Sequence, residues 1–182
     1  MTLQPAPKLQ VSEWLNTKEP ITLEGLRGKV VLIEAFQMLC PGCVSLSLPQ
    51  AMKVQKLFDS SRVAVIGLHS VFEHHEAQGS RAALAAFLHE YRINFPVAID
   101  AQDPSGRLPQ TMSAYQMRGT PTTILIDQAG HLRAQHFGAV DDMQLGAEIT
   151  TLLNEGAIAE SSDGQEDTQA GCTDEGCAVP TS

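Results

Sequence analysis

Cys40 and Cys43, in the run Leu39-Cys40-Pro41-Gly42-Cys43, are the residues of this 182-residue chain whose type and spacing most directly define a reaction. If a helix begins at Cys40, Pro41 takes the first helical position, where its missing N–H costs nothing. Free backbone N–H groups and the positive end of that helix then favour a thiolate on Cys40. Cys43 lies one turn along the same face and can close a disulfide. An exposed, easily ionised sulfur forms a mixed disulfide with a substrate, and a more buried second sulfur resolves it. The alternative is half of a zinc site. That would need a second ligand pair, and the remaining cysteines, Cys172 and Cys177, come about 130 residues later in a stretch poor in apolar residues. The expected chemistry is therefore redox, with no metal and no cofactor.

The elements around this motif follow from apolar spacing. Residues 30–36 are apolar on both alternations and rich in β-branched types, which predicts a central strand covered on two faces. Residues 43–58 have helical spacing, with Pro49 expected to kink or divide the helix. Residues 62–69 read as a second two-sided strand, 79–91 as a helix and 95–100 as a returning strand, the order of a crossover between parallel strands. A short helix over 111–117 leads into Gly119-Thr120-Pro121, a hairpin spans 122–127 and 131–137, and a closing helix covers 141–153, capped by Asp141 or Asp142. Together these predict an α/β fold with a mixed central sheet flanked by helices.

Composition narrows the function. The net charge is −9, yet residues 155–182 hold seven acids and no base, so the body is nearly neutral. Nothing forms the clustered basic surface that nucleic acid requires. No run approaches the roughly 18 consecutive apolar residues of a membrane span. The first ten residues hold one lysine and no apolar segment of the export type, so the expected compartment is the cytoplasm. Thiols there rest in the reduced state, which suits catalytic rather than structural cysteines.

The strand, the Cys-x-x-Cys at a helix start and the late Gly-Thr-Pro resemble thioredoxin. Trp14-Leu15-Asn16, the run from Leu26 to Val30, the inserted Gly67-Leu68-His69-Ser70 and Phe95-Pro96-Val97-Ala98-Ile99-Asp100 narrow the resemblance to the TlpA/ResA-like redoxins, related to the AhpC/TSA peroxiredoxin group. The match covers about residues 10–154, leaving 155–182 as an acidic tail with a second Cys pair. The resemblance implies a thioredoxin-like fold and a buried acid six residues before the first cysteine that relays protons to the second sulfur. That position holds Glu34, flanked on its alternation by Leu32 and Phe36, where a carboxylate should have a raised pKa. It further implies a cis proline at Pro121, with the Thr120 backbone pairing with an extended substrate beside Cys40. Leu39, Pro41 and Thr120 are then the substrate-facing positions. These redoxins usually carry Trp before the first cysteine, so Leu39 is a departure that bears on partner choice and potential.

Two further features remain. A flexible chain of 18 residues from Asn154 to Cys172 reaches roughly 20–25 Å, so Cys172 and Cys177 are candidates for an accessory redox pair exchanging with Cys40. His74-His75 beside Glu73 and Glu76 reads as a solvated loop rather than a metal cluster, because no ligand spacing completes a set. The expected function is a thiol–disulfide oxidoreductase acting as a reductase, its partners being protein disulfides and an upstream thiol reductant. The alternatives are a peroxiredoxin-type antioxidant peroxidase and a redox-switched binding module. Against the peroxidase, the Pro and Thr of the Pro-x-x-x-Thr-x-x-Cys run are replaced here by Ile33 and Gln37.

Overall fold

Residues 30–36 are apolar on both alternations because the strand they form, β2 (Val30–Phe36), has a neighbour on each side and a layer over each face. A computed structural model describes residues 3–106 and 108–161, with only the backbone described for 157–161. The other strands are β1 (Val11–Leu15), β3 (Val63–His69), β4 (Val97–Asp100), β5 (Thr122–Ile126) and β6 (Leu132–Phe137). The helices are α1 (Leu48–Leu57), α2 (His75–Gln78), α3 (Arg81–Glu90), α4 (Gln110–Ala114) and α5 (Asp142–Ser161). The strands form a six-stranded sheet in the order β1-β4-β3-β2-β5-β6. β2, β3 and β4 run parallel, whereas β1, β5 and β6 pair antiparallel with their neighbours, giving the expected mixed sheet.

Alternation divides the core. Leu32 and Phe36 face a layer built by Leu48, Ala51 and Val54 of α1, Leu84 and Leu88 of α3, and Leu145, Ile149 and Leu152 of α5. Val31, Ile33 and Ala35 face Met112 of α4, Tyr115, Leu23 and the N-terminal segment with Leu9. Burying each such large apolar side chain stabilises the fold by roughly 1.5–3 kcal/mol. Tyr115 ties the second layer down by donating its hydroxyl to the Pro7 carbonyl at 2.6 Å.

Several boundaries differ from the sequence expectation, each for a local reason. The strand over 95–100 begins at Val97, because Pro96 has no N–H for a ladder and instead accepts the Gly67 N–H at 2.9 Å. Helix α3 starts where Ser80 Oγ accepts the Ala83 N–H at 3.1 Å. The short helix ends at Ala114 and the chain turns through Gln116, whose φ is 51°. Asp141 Oδ1 accepts the N–H groups of Met143 and Gln144 at 2.9 and 3.2 Å, so it is the cap of α5. That helix runs on to Ser161, past the composition break at residue 154, since Glu and Ala are good helix formers whatever their effect on mean hydropathy. Strand β1, which pairs with β4, was not expected. Among the described residues no helix is long and apolar enough to cross a membrane.

Candidate active site

Strand β2 ends at Phe36, residues 37–39 turn, and Pro41 opens the helical run that places Cys40 at its N-cap. The Cys43 N–H donates to Cys40 Sγ at 3.2 Å, which is the bond that stabilises negative charge on that sulfur when the pair is reduced. The two residues form a disulfide with Cα atoms 5.2 Å apart. Cys40 is half-buried and Cys43 wholly buried, so an incoming sulfur can reach only the first. Pro41 is exposed, and Leu39 is 56% exposed beside the nucleophile. The helix is not uniform: Cys43–Ser47 form a π turn before α1 begins, and Pro49 sits at the second position of α1. The expected division at the proline is thus a change of helix type just ahead of it.

The loop between α4 and β5 comes up against this helix start. The Thr120–Pro121 peptide is cis, and the Thr120 carbonyl oxygen lies 3.6 Å from Cys40 Sγ. Gly42 approaches Pro121 so closely that a Cβ there would sit 3.5 Å from its Cδ. Pro121 is buried with its carbonyl accepting the Gly138 N–H at 2.9 Å, whereas Thr120 is partly exposed. Gly119 has no room for a side chain, because a Cβ would meet the Phe137 ring at 2.9 Å. Arg118 lies over the same ring, 5.0 Å from its centroid.

Beneath the disulfide, Glu34 occupies the middle of β2, 1% exposed, on the same face as Leu32, Phe36 and the layer that contains Cys43. Thr123 donates its hydroxyl to Glu34 Oε2 at 2.7 Å, and Oε1 has no hydrogen-bond partner. Burial pushes its carboxyl up to about 7, although the hydroxyls of Thr123 and Ser47 pull the other way. A group split between its two forms at neutral pH can take a proton from, or return one to, a neighbouring thiol.

Sequence reasoning missed three buried polar residues around this centre. His69, at the end of β3, stacks on Phe36 with ring centroids 5.3 Å apart, and burial lowers its pKa to about 4, so it is neutral in the fold. Gln37 and Gln78 join the loop before Cys40 to the segment that carries α2. Gln37 entered the sequence reading only as a departure from the peroxidase run. His74 and His75 are exposed, and among the described residues no three His, Cys, Asp or Glu side chains converge as metal ligands. Cys172 and Cys177 lie outside the described residues.

Comparison with known proteins agrees with this geometry. The profile of the AhpC/TSA family matches residues 2–135. A thioredoxin-like superfamily protein of known crystal structure is 59% identical, covering 82% of this chain and 96% of its own, with a TM-score of 0.80. A thiol-disulfide isomerase from Corynebacterium glutamicum is 50% identical over 81% of this chain and 96% of its own, with a TM-score of 0.77. Protein DipZ of Mycobacterium bovis is 33% identical over 82% of this chain, which spans only 21% of DipZ. Thiol-disulfide oxidoreductase ResA of Halalkalibacterium halodurans is 27% identical over 74% of this chain and 68% of its own length. The chain belongs to the AhpC/TSA family and, within it, to the TlpA/ResA-like thioredoxin-fold redoxins of the thiol–disulfide oxidoreductase group.

Proposed function

We propose that this chain reduces disulfides in protein substrates through Cys40 and Cys43. The observation that carries the reading is the asymmetry of the pair: a reachable sulfur at a helix N-cap, a buried partner one turn on, and the Thr120 carbonyl beside the first. In the forward cycle the Cys40 thiolate attacks a substrate disulfide, that S–S bond breaks, and one substrate sulfur leaves and takes a proton. Glu34 then accepts the Cys43 proton, and Cys43 attacks Cys40 Sγ. The mixed disulfide breaks, the second substrate sulfur leaves protonated, and the Cys40–Cys43 disulfide holds the two electron equivalents of oxidation. An upstream thiol reductant restores the dithiol by the reverse exchange.

The reducing direction goes with a compartment of reduced thiols, and the cytoplasm is the compartment proposed. Peroxide is the less favoured oxidant, despite the family's breadth. Where a peroxidatic run would carry its Thr, Gln37 has its amide oxygen already bonded to Phe72 and Gln78. Turnover of insulin disulfides with a dithiol reductant is expected to fall to background in Cys40→Ser. Equal rates for the variant and wild type would remove the assignment, and rapid Cys40-dependent consumption of peroxide without disulfide turnover would replace it.

A further inference from the structure

Between the end of β2 and Cys40 lies a buried amide pair that the exchange chemistry leaves unused. Gln37 and Gln78 are 1% and 0% exposed and lie 41 residues apart in sequence. Gln78 Nε2 donates to Gln37 Oε1 at 3.0 Å and to the Glu73 carbonyl oxygen at 2.9 Å. Gln78 Oε1 accepts the Leu39 N–H at 3.2 Å, and Gln37 Oε1 accepts the Phe72 N–H at 3.3 Å. A backbone N–H can only donate, so these two bonds fix which end of each amide is oxygen. Gln37 Nε2 consequently faces Thr120 Oγ1 at 3.5 Å and Glu73 Oε1 at 3.4 Å.

Three segments that share no regular ladder are joined here: the turn that delivers Cys40, the segment 71–79 between β3 and α3, and the cis-proline loop. The Leu39 amide is the last one before the nucleophile. Its acceptor comes from a residue that touches neither sulfur in any recorded hydrogen bond. A side chain without an oxygen at position 78 would leave that buried N–H unpaired and release the turn.

We propose that Gln37 and Gln78 are positioning residues for Cys40, clasping its approach turn against segment 71–79 and Thr120 so that the Cys43 N–H stays on the Cys40 sulfur. The inserted segment is thereby part of the redox centre rather than a decoration on the sheet. Its bearing on turnover rests on the disulfide-exchange reading, but its effect on the sulfur does not.

The test uses the full chain carrying Cys43→Ser, Cys172→Ser and Cys177→Ser, so that iodoacetamide reports Cys40 alone. Charged and titratable groups on the elements around Cys40 are Glu34 on β2, His69 at the end of β3, Glu73, His74, His75 and Glu76 on segment 71–79, and Arg118 before the cis-proline loop. All remain in every variant, so a shift between variants reports the clasp. Gln78→Met, of similar size but with no amide, is expected to raise the pH midpoint of alkylation by about half a unit, a roughly threefold loss of thiolate below the midpoint. Gln37→Met should move it the same way, and the double variant should shift it less than the sum. A folded Gln78→Met with an unmoved midpoint overturns the proposal, because a merely structural role lowers the unfolding temperature and leaves the thiolate alone. If that variant does not fold, Gln78→Glu keeps the acceptor for Leu39. Its profile should depart upward from the parent as the new carboxylate ionises, and a superimposable profile overturns the proposal equally. Insulin turnover by the wild type is read separately. Its absence with the alkylation shift intact removes the function and not the clasp, whereas normal turnover with an unshifted profile removes the clasp alone.

Discussion

Asp100 and Glu34 are both carboxylates with 1% of their surface exposed, on opposite faces of one sheet, yet their surroundings differ in kind. Asp100 Oδ1 accepts the Thr111 N–H at 2.8 Å, while Oδ2 accepts the Met112 N–H at 3.0 Å and the Ser70 hydroxyl at 2.9 Å. It supplies both oxygens to donors at the start of α4 and pins that helix to the end of β4. Glu34 has the Thr123 hydroxyl on one oxygen and nothing on the other. A buried carboxylate with its oxygens occupied is a fastener, and one left partly unoccupied is free to change protonation. The carboxyl group is the same in both, and the donors around it decide the use.

The widest separation between the two should come from deleting each in turn. Asp100→Ala strands two buried N–H groups and a hydroxyl, and should lower unfolding stability by about 4 kcal/mol in urea titrations. The redox rate per folded molecule should be unchanged. A loss under about 1 kcal/mol would break the comparison from the structural side.

The next effect is in pH. Glu34 is raised in the fold from 4.5 to about 7, so its stabilising contribution is complete below 4.5 and is lost as pH rises through 7. His69 is lowered from 6.5 to about 4, so its contribution is complete above 6.5 and is lost as pH falls through 4. Each shift corresponds to about 3 kcal/mol, and the two slopes oppose one another between pH 4.5 and 6.5. Relative to wild type, Glu34→Gln should therefore gain about 3 kcal/mol as pH is raised from 4.5 through 7. His69→Gln should gain a similar amount as pH is lowered from 6.5 through 4. Parallel stability–pH curves for wild type and Glu34→Gln would show that the carboxylate is satisfied after all.

The smallest effect concerns the rim rather than the core. Leu39 is exposed, so Leu39→Ala should leave stability within about 0.5 kcal/mol. Its KM for a protein substrate should rise about threefold with kcat unchanged, the signature of lost uniform binding. A fall in kcat instead would move Leu39 from the docking surface into the positioning of Cys40.

What could be read from the sequence was local. The Cys-x-x-Cys, the two-sided apolar strand before it, the odd acid between Leu32 and Phe36 and the proline after Gly119-Thr120 each sit within a few residues of the signal that marks them. What could not be read depends on a partner distant in sequence. β1 is a mixed run of five residues that becomes a strand only because Val97–Asp100 offers it a ladder. Gln37 and Gln78 look like ordinary polar residues until the fold brings their amides together, and Asp100 looks like the end of a strand until α4 turns its N–H groups onto it. Burial of a polar side chain is a property of its neighbours, and apolar periodicity carries no record of them.

The π turn at Cys43–Ser47 makes the distance from the second sulfur to α1 a fixed length of chain. Removing one residue there would restore ordinary helical winding and swing everything downstream by about 100°. Leu48, Ala51 and Val54, all buried against the sheet, would then be carried off it. Insertions and deletions are thus confined to the far ends of this helix, and the register between the chemistry and the packing beneath it can be altered only by substitution.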